Sequence, residues 1–181
     1  MRKIFSFIWE ISKVAIIAAL IVLPIRQYVF QPFFVKGQSM EPSFSNGDYL
    51  IIDEISYRFS DPQRGEVIVF NYPKDPTQRY IKRVIGLPGE TIEVKDGKVM
   101  VFNREGEKVL EETDYLRSVN QTPGQILTTL EQDEYFVMGD NRDASSDSRS
   151  WGPLPKDYII GKVFFRAFPM ASVAKFELPE Y

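Results

Sequence analysis

A chain of 181 residues suffices for one domain with its own core plus a small appendage, and 44% hydrophobic with 26% charged residues is a globular balance. A net charge of −3 and a pI near 5.2 speak against a nucleic-acid binder, which needs a basic face. Zero cysteines and zero histidines remove disulfides, thiol catalysis, Ser-His-Asp triads and every metal site except one built from oxygen ligands. A hydrolase with this composition has to take its base from Lys, Asp, Glu, Tyr or a terminal amine.

Residues 1–30 differ from all that follows. "VAIIAALIVLPI" (14–25) is uncharged, and extending it back to Ile4 reaches the ~18 or more residues of a bilayer span while including Glu10 and Lys13. Those two are three apart and can pair on one helix face, and Arg26 can snorkel at the far end. The expectation is one transmembrane helix over about 4–25. A cleaved leader is the competitor, but the run is followed by bulky "RQYVFQPFF" and not by the small residues of a cleavage site.

Beyond residue 30 the patterns are those of strands. "FFV" (33–35) reads as a short extended segment; "DYLIID" (48–53), "EVIVFNY" (66–72) and "RYIKRVIG" (79–86) are β-branched and aromatic. "TIEVKDGKVMVF" (91–102) predicts a hairpin whose Asp96-Gly97 suits a type I′ turn. "EYFVMG" (134–139) and "YIIGKVFFRAF" (158–168) complete the set, while 103–131 is polar and poorly patterned. The fold expected is mostly β, an antiparallel domain over 31–181 in which the polar stretch is a loop or a small excursion.

Three features stand out against this background. Ser39, in "FFVKGQSMEPSF", lies on a bend between apolar residues and Pro42, which biases Glu41 away from helix. An ordinary turn serine is the plain alternative. Lys82 lies within a strand, with Tyr80 and Val84 on its face and Ile81, Arg83 and Ile85 on the other. A snorkelling lysine on an edge strand is the plain alternative. A buried lysine would instead lose preference for its charged form and serve as a base, and against a serine it would form a Ser-Lys dyad. Third, "GDNRDASSDSRSWGP" (139–153) interleaves hydroxyls with Asp140, Asp143, Asp147, Arg142 and Arg149. Its acidic spacing lacks the alternating ligands, central Gly and closing Glu of a calcium loop, so a hydrogen-bonded scaffold is the sharper reading.

"GQSMEPSF", "RGEVIVFNYP", "YIKRVIGLPGE" and "GDNRDASSDSRSWGPLP", in that order from about Phe30 to Phe168, resemble the bacterial type I signal peptidases, or leader peptidases. The resemblance implies a catalytic domain of coiled antiparallel β-sheet, a partial barrel, behind one N-terminal membrane anchor. It implies a serine endopeptidase that removes signal peptides from exported preproteins after small residues at −1 and −3, without metal or other cofactor. Ser39 then corresponds to the nucleophile and Lys82 to the general base. Ser145 falls where a hydroxyl holds the lysine amine, Asp147 and Arg149 match a supporting pair, and Asp140 with Arg83 forms another. Residues near Phe33, Val35, Tyr80 and Ile81 fall where shallow pockets take the small side chains.

The chain departs from the family pattern at Ser43 and Ala144, where threonine and asparagine are frequent, at Gly37, where some members carry an oxyanion-hole hydroxyl, and at about 95–134, where the large second domain of some relatives is expected as a reduced excursion. The Ser39 N–H supplies one oxyanion donor. Either Gly37 serves a positive φ or close substrate approach, or the hole is looser and its second donor is a water, another main-chain N–H or the Gln38 amide; the looser hole with a water donor is the reading taken and predicts a faster Gly37→Ser enzyme. Two rivals remain at this level: a self-cleaving SOS-repressor-like Ser-Lys protein, and a non-catalytic membrane-anchored β domain. Arg2 and Lys3 favour a cytoplasmic N-terminus, a single pass through the lipid bilayer and residues 36–181 on the outer face of the cell membrane.

Overall fold

A computed structural model of the chain describes residues 7, 9–20, 30–103, 106–110, 112, 115, 116, 122–170, 174, 175 and 179. The fold is mostly β, and the strand pairs are antiparallel. One sheet contains β1 (Phe30–Phe34), β2 (Tyr49–Asp53), β3 (Val67–Tyr72), β4 (Asp75–Gly86), β9 (Glu134–Met138), β10 (Leu154–Pro155) and β11 (Ile159–Phe168). Its order is β1-β2-β11-β3-β4-β9-β10, with β12 (Ala174–Lys175) on β11. The second sheet, in the order β7-β6-β5-β8, contains β5 (Thr91–Lys95), β6 (Lys98–Asn103), β7 (Gly106–Val109) and β8 (Ile126–Thr129). The first sheet begins at β1 and ends at β10, so it is open; no closed barrel forms among the described strands.

Period-two alternation sorts the core. On β3, Val67 and Val69 join Val35, Met40, Phe44, Leu50, Ile52 and Ile81, while Ile68 and Phe70 join Val84, Tyr135, Val137 and Leu154 on the opposite face. Ile85, Phe136 and Met138, from β4 and β9, pack with Ile92, Val94, Val99 and Val101 of the second sheet. Each such side chain contributes roughly 1.5–3 kcal/mol on burial, so this shared cluster fastens the sheets together through β4 and β9. Asp96-Gly97 forms the expected two-residue turn, with φ of 51° and 79°, between Lys95 and its partner Lys98.

Two readings of the sequence are corrected. β4 begins at Asp75 and not at 79, because the chain reverses tightly at Tyr72↔Asp75 and the Asp75 carboxylate takes hydrogen bonds from Thr77 and Gln78. Solvent on this segment replaces the apolar alternation that marks the rest of the strand. Residues 103–131 are also not simply loop: β7 and β8 lie within them, each short and largely solvated, which hides a strand signal. The expected membrane helix over 4–25 falls partly outside the described residues. Residues 9–20 are helical, and among the described residues no helix is long and apolar enough to cross a membrane.

Candidate active site

Lys82 pairs with Ile68 of β3, one residue before the pairing of β4 with β9 begins at Arg83, and at 3% exposure it is buried and does not snorkel. Its Nζ donates to Ser39 Oγ at 2.7 Å and to the Ile81 carbonyl at 2.9 Å. Burial pushes the lysine pKa down to about 8, against the opposing pull of the Asp147 and Asp140 charges. About a tenth of such an amine is neutral at pH 7, against less than ~0.1% of a free lysine.

Ser39 is carried by a turn anchored in the core. Met40 and Phe44 are 1% and 0% exposed, and the Phe44 N–H donates to the Met40 carbonyl at 2.8 Å. These two residues are therefore core. Gly37 has φ +89°, a conformation that a Cβ disfavours although nothing lies within 4 Å of where one would sit. Its N–H donates to Asn46 Oδ1 at 3.0 Å. Of the two explanations of this glycine, the positive φ favours the one from backbone conformation.

The loop after β9 packs on this turn. A Cβ at Gly139 would collide with the Ser39 carbonyl and with Ser145 Oγ, so only glycine allows the approach. The Asn141 N–H donates to the Ser39 carbonyl at 3.0 Å, and Asn141 Nδ2 to the Gln38 carbonyl at 3.1 Å. Asp147 caps the short helix Ser148–Trp151 and accepts from Arg149 Nε at 2.8 Å, Arg149 Nη2 at 2.9 Å and the Gly139 N–H at 3.1 Å. Burial pushes its carboxyl up, but Arg149, the nearby Ser145 hydroxyl and the Gly139 N–H outweigh that and hold it below the usual range. Arg83 and Asp140 form a bidentate buried pair at 2.9 and 2.6 Å.

Ser145 is not hydrogen-bonded to Lys82. Its Oγ is buried and meets no partner in hydrogen-bond geometry, while the Ile81 carbonyl takes the bond expected of it. A groove of about 790 Å³ runs past the pair, lined among others by Phe33, Phe34, Ser39, Tyr80, Ile81 and Lys82. Val35, expected here, is 3% exposed and belongs to the core beneath β1 and β2, because strand alternation turns it away from Phe34. Sequence reasoning missed Gly139 and Asn141 as supports of the Ser39 turn, and missed Glu112, whose carboxylate receives Arg142 Nη1 at 2.8 Å. Gly139 and Asn141 stood in the polar motif already singled out; Glu112 had no local signal.

Residues 8–168 match the family model described as signal peptidase, peptidase S26. The probable signal peptidase I-1 of Synechocystis sp. is 39% identical over 91% of this chain and 84% of its own length. Signal peptidase I P of Bacillus subtilis subsp. natto is 34% identical over 94% of each chain. A crystal structure of a signal peptidase I from Enterococcus faecalis overlays with a TM-score of 0.47 at 30% identity, covering 57% of this chain and 97% of that one.

Proposed function

This chain belongs to the signal peptidase family, peptidase S26, and as such is a serine endopeptidase that removes signal peptides; from that premise we propose that Ser39 and Lys82 perform the reaction as a dyad. The observation that carries the reading is the 2.7 Å contact between Ser39 Oγ and a lysine amine whose charge is disfavoured by burial. The neutral amine takes the Ser39 proton as Oγ bonds to the scissile carbonyl carbon. The tetrahedral intermediate collapses, the C–N bond breaks, and Lys82 returns that proton to the leaving amine of the mature chain. Lys82 then deprotonates a water that attacks the Ser39 ester, releasing the signal-peptide carboxylate and restoring the serine hydroxyl. The Ser39 N–H provides one oxyanion donor. Esterification weakens Ser39 Oγ as a partner for the amine, and the unpartnered Ser145 hydroxyl is the group that takes its place.

An extended substrate fits between two strand edges. β1 ends the sheet, and β4 pairs with β9 only from Arg83 onward, so Pro32–Phe34 and Thr77–Lys82 face the groove with open edges. Phe33, Tyr80 and Ile81 leave shallow apolar room suited to small side chains at −1 and −3. A bilayer partner accounts for two further features. Helix 9–20 exposes Trp9, Ile11, Val14, Ile16, Ile17 and Leu20 around its circumference. Phe34 and Phe168, 60% and 57% exposed, both lie opposite Tyr49 at one end of the sheet beside the groove. The enzyme is then anchored by residues 1–30, with residues 31–181 as a catalytic domain on the outer face.

The test is cleavage of a preprotein by purified full-length variants. Ser39→Ala and Lys82→Ala should be inactive, and Lys82→Arg equally so, because arginine keeps its proton. Substantial turnover by Lys82→Arg would mean that the residue contributes charge and not basicity.

A further inference from the structure

The active-site loop is clamped from a direction that the dyad mechanism does not use. Arg142 is 7% exposed; its Nε donates to the Gly139 carbonyl at 3.0 Å, and its Nη1 to Thr122 Oγ1 at 2.6 Å and to Glu112. Glu112, 4% exposed, meets Arg142 with both carboxylate oxygens and also accepts from the Tyr115 hydroxyl at 2.7 Å. The Tyr115 ring lies 4.0 Å from the Arg83 guanidinium, the neighbour of Lys82 that pairs with Asp140. Glu112, Tyr115 and Thr122 all come from the polar excursion between β7 and β8.

The Gly139 peptide is therefore held at both ends. Asp147 takes its N–H and Arg142 fills its carbonyl, while its Cα lies against the Ser39 carbonyl and Ser145. The loop closes on itself as well, because Arg149 Nη2 donates to the Arg142 carbonyl at 2.7 Å. A guanidinium buried this deeply needs a carboxylate to stay in place. Resting on the dyad reading above, we infer that Glu112 is a positioning residue: through Arg142 it fixes the Gly139 peptide on which Ser39 and Lys82 are aligned.

The excursion is on this view a working part of the active site, acting at one remove. Weakening its grip lets the loop shift and admits water to Lys82. The groups facing the amine are Asp147 and Asp140, each held by its own arginine, together with the Tyr80 ring at 5.4 Å and Ser39. Hydration relieves the burial that disfavours the charged amine. The loss of rate is then largest near neutral pH and shrinks in alkali.

The experiment compares wild type, Glu112→Gln, Glu112→Asp and Thr122→Val as full-length enzyme, with a preprotein substrate, at temperatures where each is folded by circular dichroism. Glu112→Gln should lower kcat by ~10²-fold, the scale of an ångström's misplacement of a base, with little change in KM. The acidic limb of its kcat/KM profile should move to higher pH, and Glu112→Asp should recover part of the rate. If Glu112→Gln does not fold, Thr122→Val decides, since it removes one Arg142 partner without stranding a charge; a smaller shift in the same direction is expected. Profiles of the folded variants that superimpose on wild type overturn the inference. An active Ser39→Ala enzyme would instead overturn the dyad reading beneath it, so the two failures are distinct.

Discussion

Replacing Lys82 by methionine should abolish activity and at the same time remove a pH-dependent weakness from the fold. The amine is 3% exposed, and burial lowers its pKa from 10.5 to about 8. The unfolded chain thus binds this proton more tightly than the folded one. Below pH 8 both states are protonated and the penalty on folding is complete; it fades as pH rises through the folded pKa and is gone above the unfolded value of 10.5. At ~1.36 kcal/mol per pKa unit the gap is worth about 3 kcal/mol. Lys82→Met also loses the hydrogen bonds to Ser39 Oγ and the Ile81 carbonyl, roughly 1 kcal/mol each, but those losses depend little on pH. The informative quantity is the change in the stability difference with pH. Urea unfolding of both proteins between pH 6 and pH 11 should show wild type gaining about 3 kcal/mol on Lys82→Met, mostly between pH 8 and 10.5. Groups common to both proteins cancel. Parallel curves across the range would refute a depressed lysine pKa, and with it the proposal that this lysine is a base near neutral pH.

Ser145→Ala should cut kcat by ~10²-fold or more without unfolding the domain, because it breaks no hydrogen bond of the fold; a fully active variant removes Ser145 from the mechanism. Gly37→Ala and Gly37→Ser should both lose about 1 kcal/mol of stability and some kcat, with Gly37→Asn closer to wild type, since φ +89° suits glycine first and asparagine next. A faster Gly37→Ser enzyme would restore the oxyanion explanation of that glycine. Protease added to intact spheroplasts should digest residues 36–181, and digestion only after lysis would reverse the topology.

Ser39 and Lys82 stood out by local features, and the family resemblance paired them. A lysine at an alternating strand position between Ile81 and Arg83, and a serine between an apolar run and Pro42, need no tertiary knowledge to stand out. The pairs Arg149–Asp147 and Arg83–Asp140 were implied by the family resemblance, and both contacts form, at 2.8 and 2.6 Å. What the sequence hid follows a common physical rule. Glu112 sits in a polar tract where acidic residues are normally solvated, and only the approach of Arg142 from thirty residues away makes its burial tolerable. β7 and β8 were hidden for the converse reason, being strands with too few buried side chains to alternate clearly. The requirement for positive φ at Gly37 is invisible without coordinates, because a glycine in a bend is compatible with many conformations.

Adjacent cations on β4 meet different surroundings. Lys82 and Arg83 are buried alike, at 3% and 6% exposure, yet they meet opposite electrostatic conditions. Arg83 is given a carboxylate of its own, Asp140, in a bidentate pair, and it also donates to the Gly65 carbonyl at 2.9 Å. Lys82 is given only the neutral oxygens of Ser39 and Ile81. Asp147, which would favour the lysine's charge, is already bound by Arg149 through both of its oxygens. Its attraction for the amine is thereby offset by a cation beside it, and burial wins. The same two arginine–aspartate pairs that organise the loop therefore keep both nearby carboxylates occupied. A scaffold of buried ion pairs thus surrounds a lysine whose own hydrogen bonds go to neutral oxygens, the condition that the dyad proposal requires of its base.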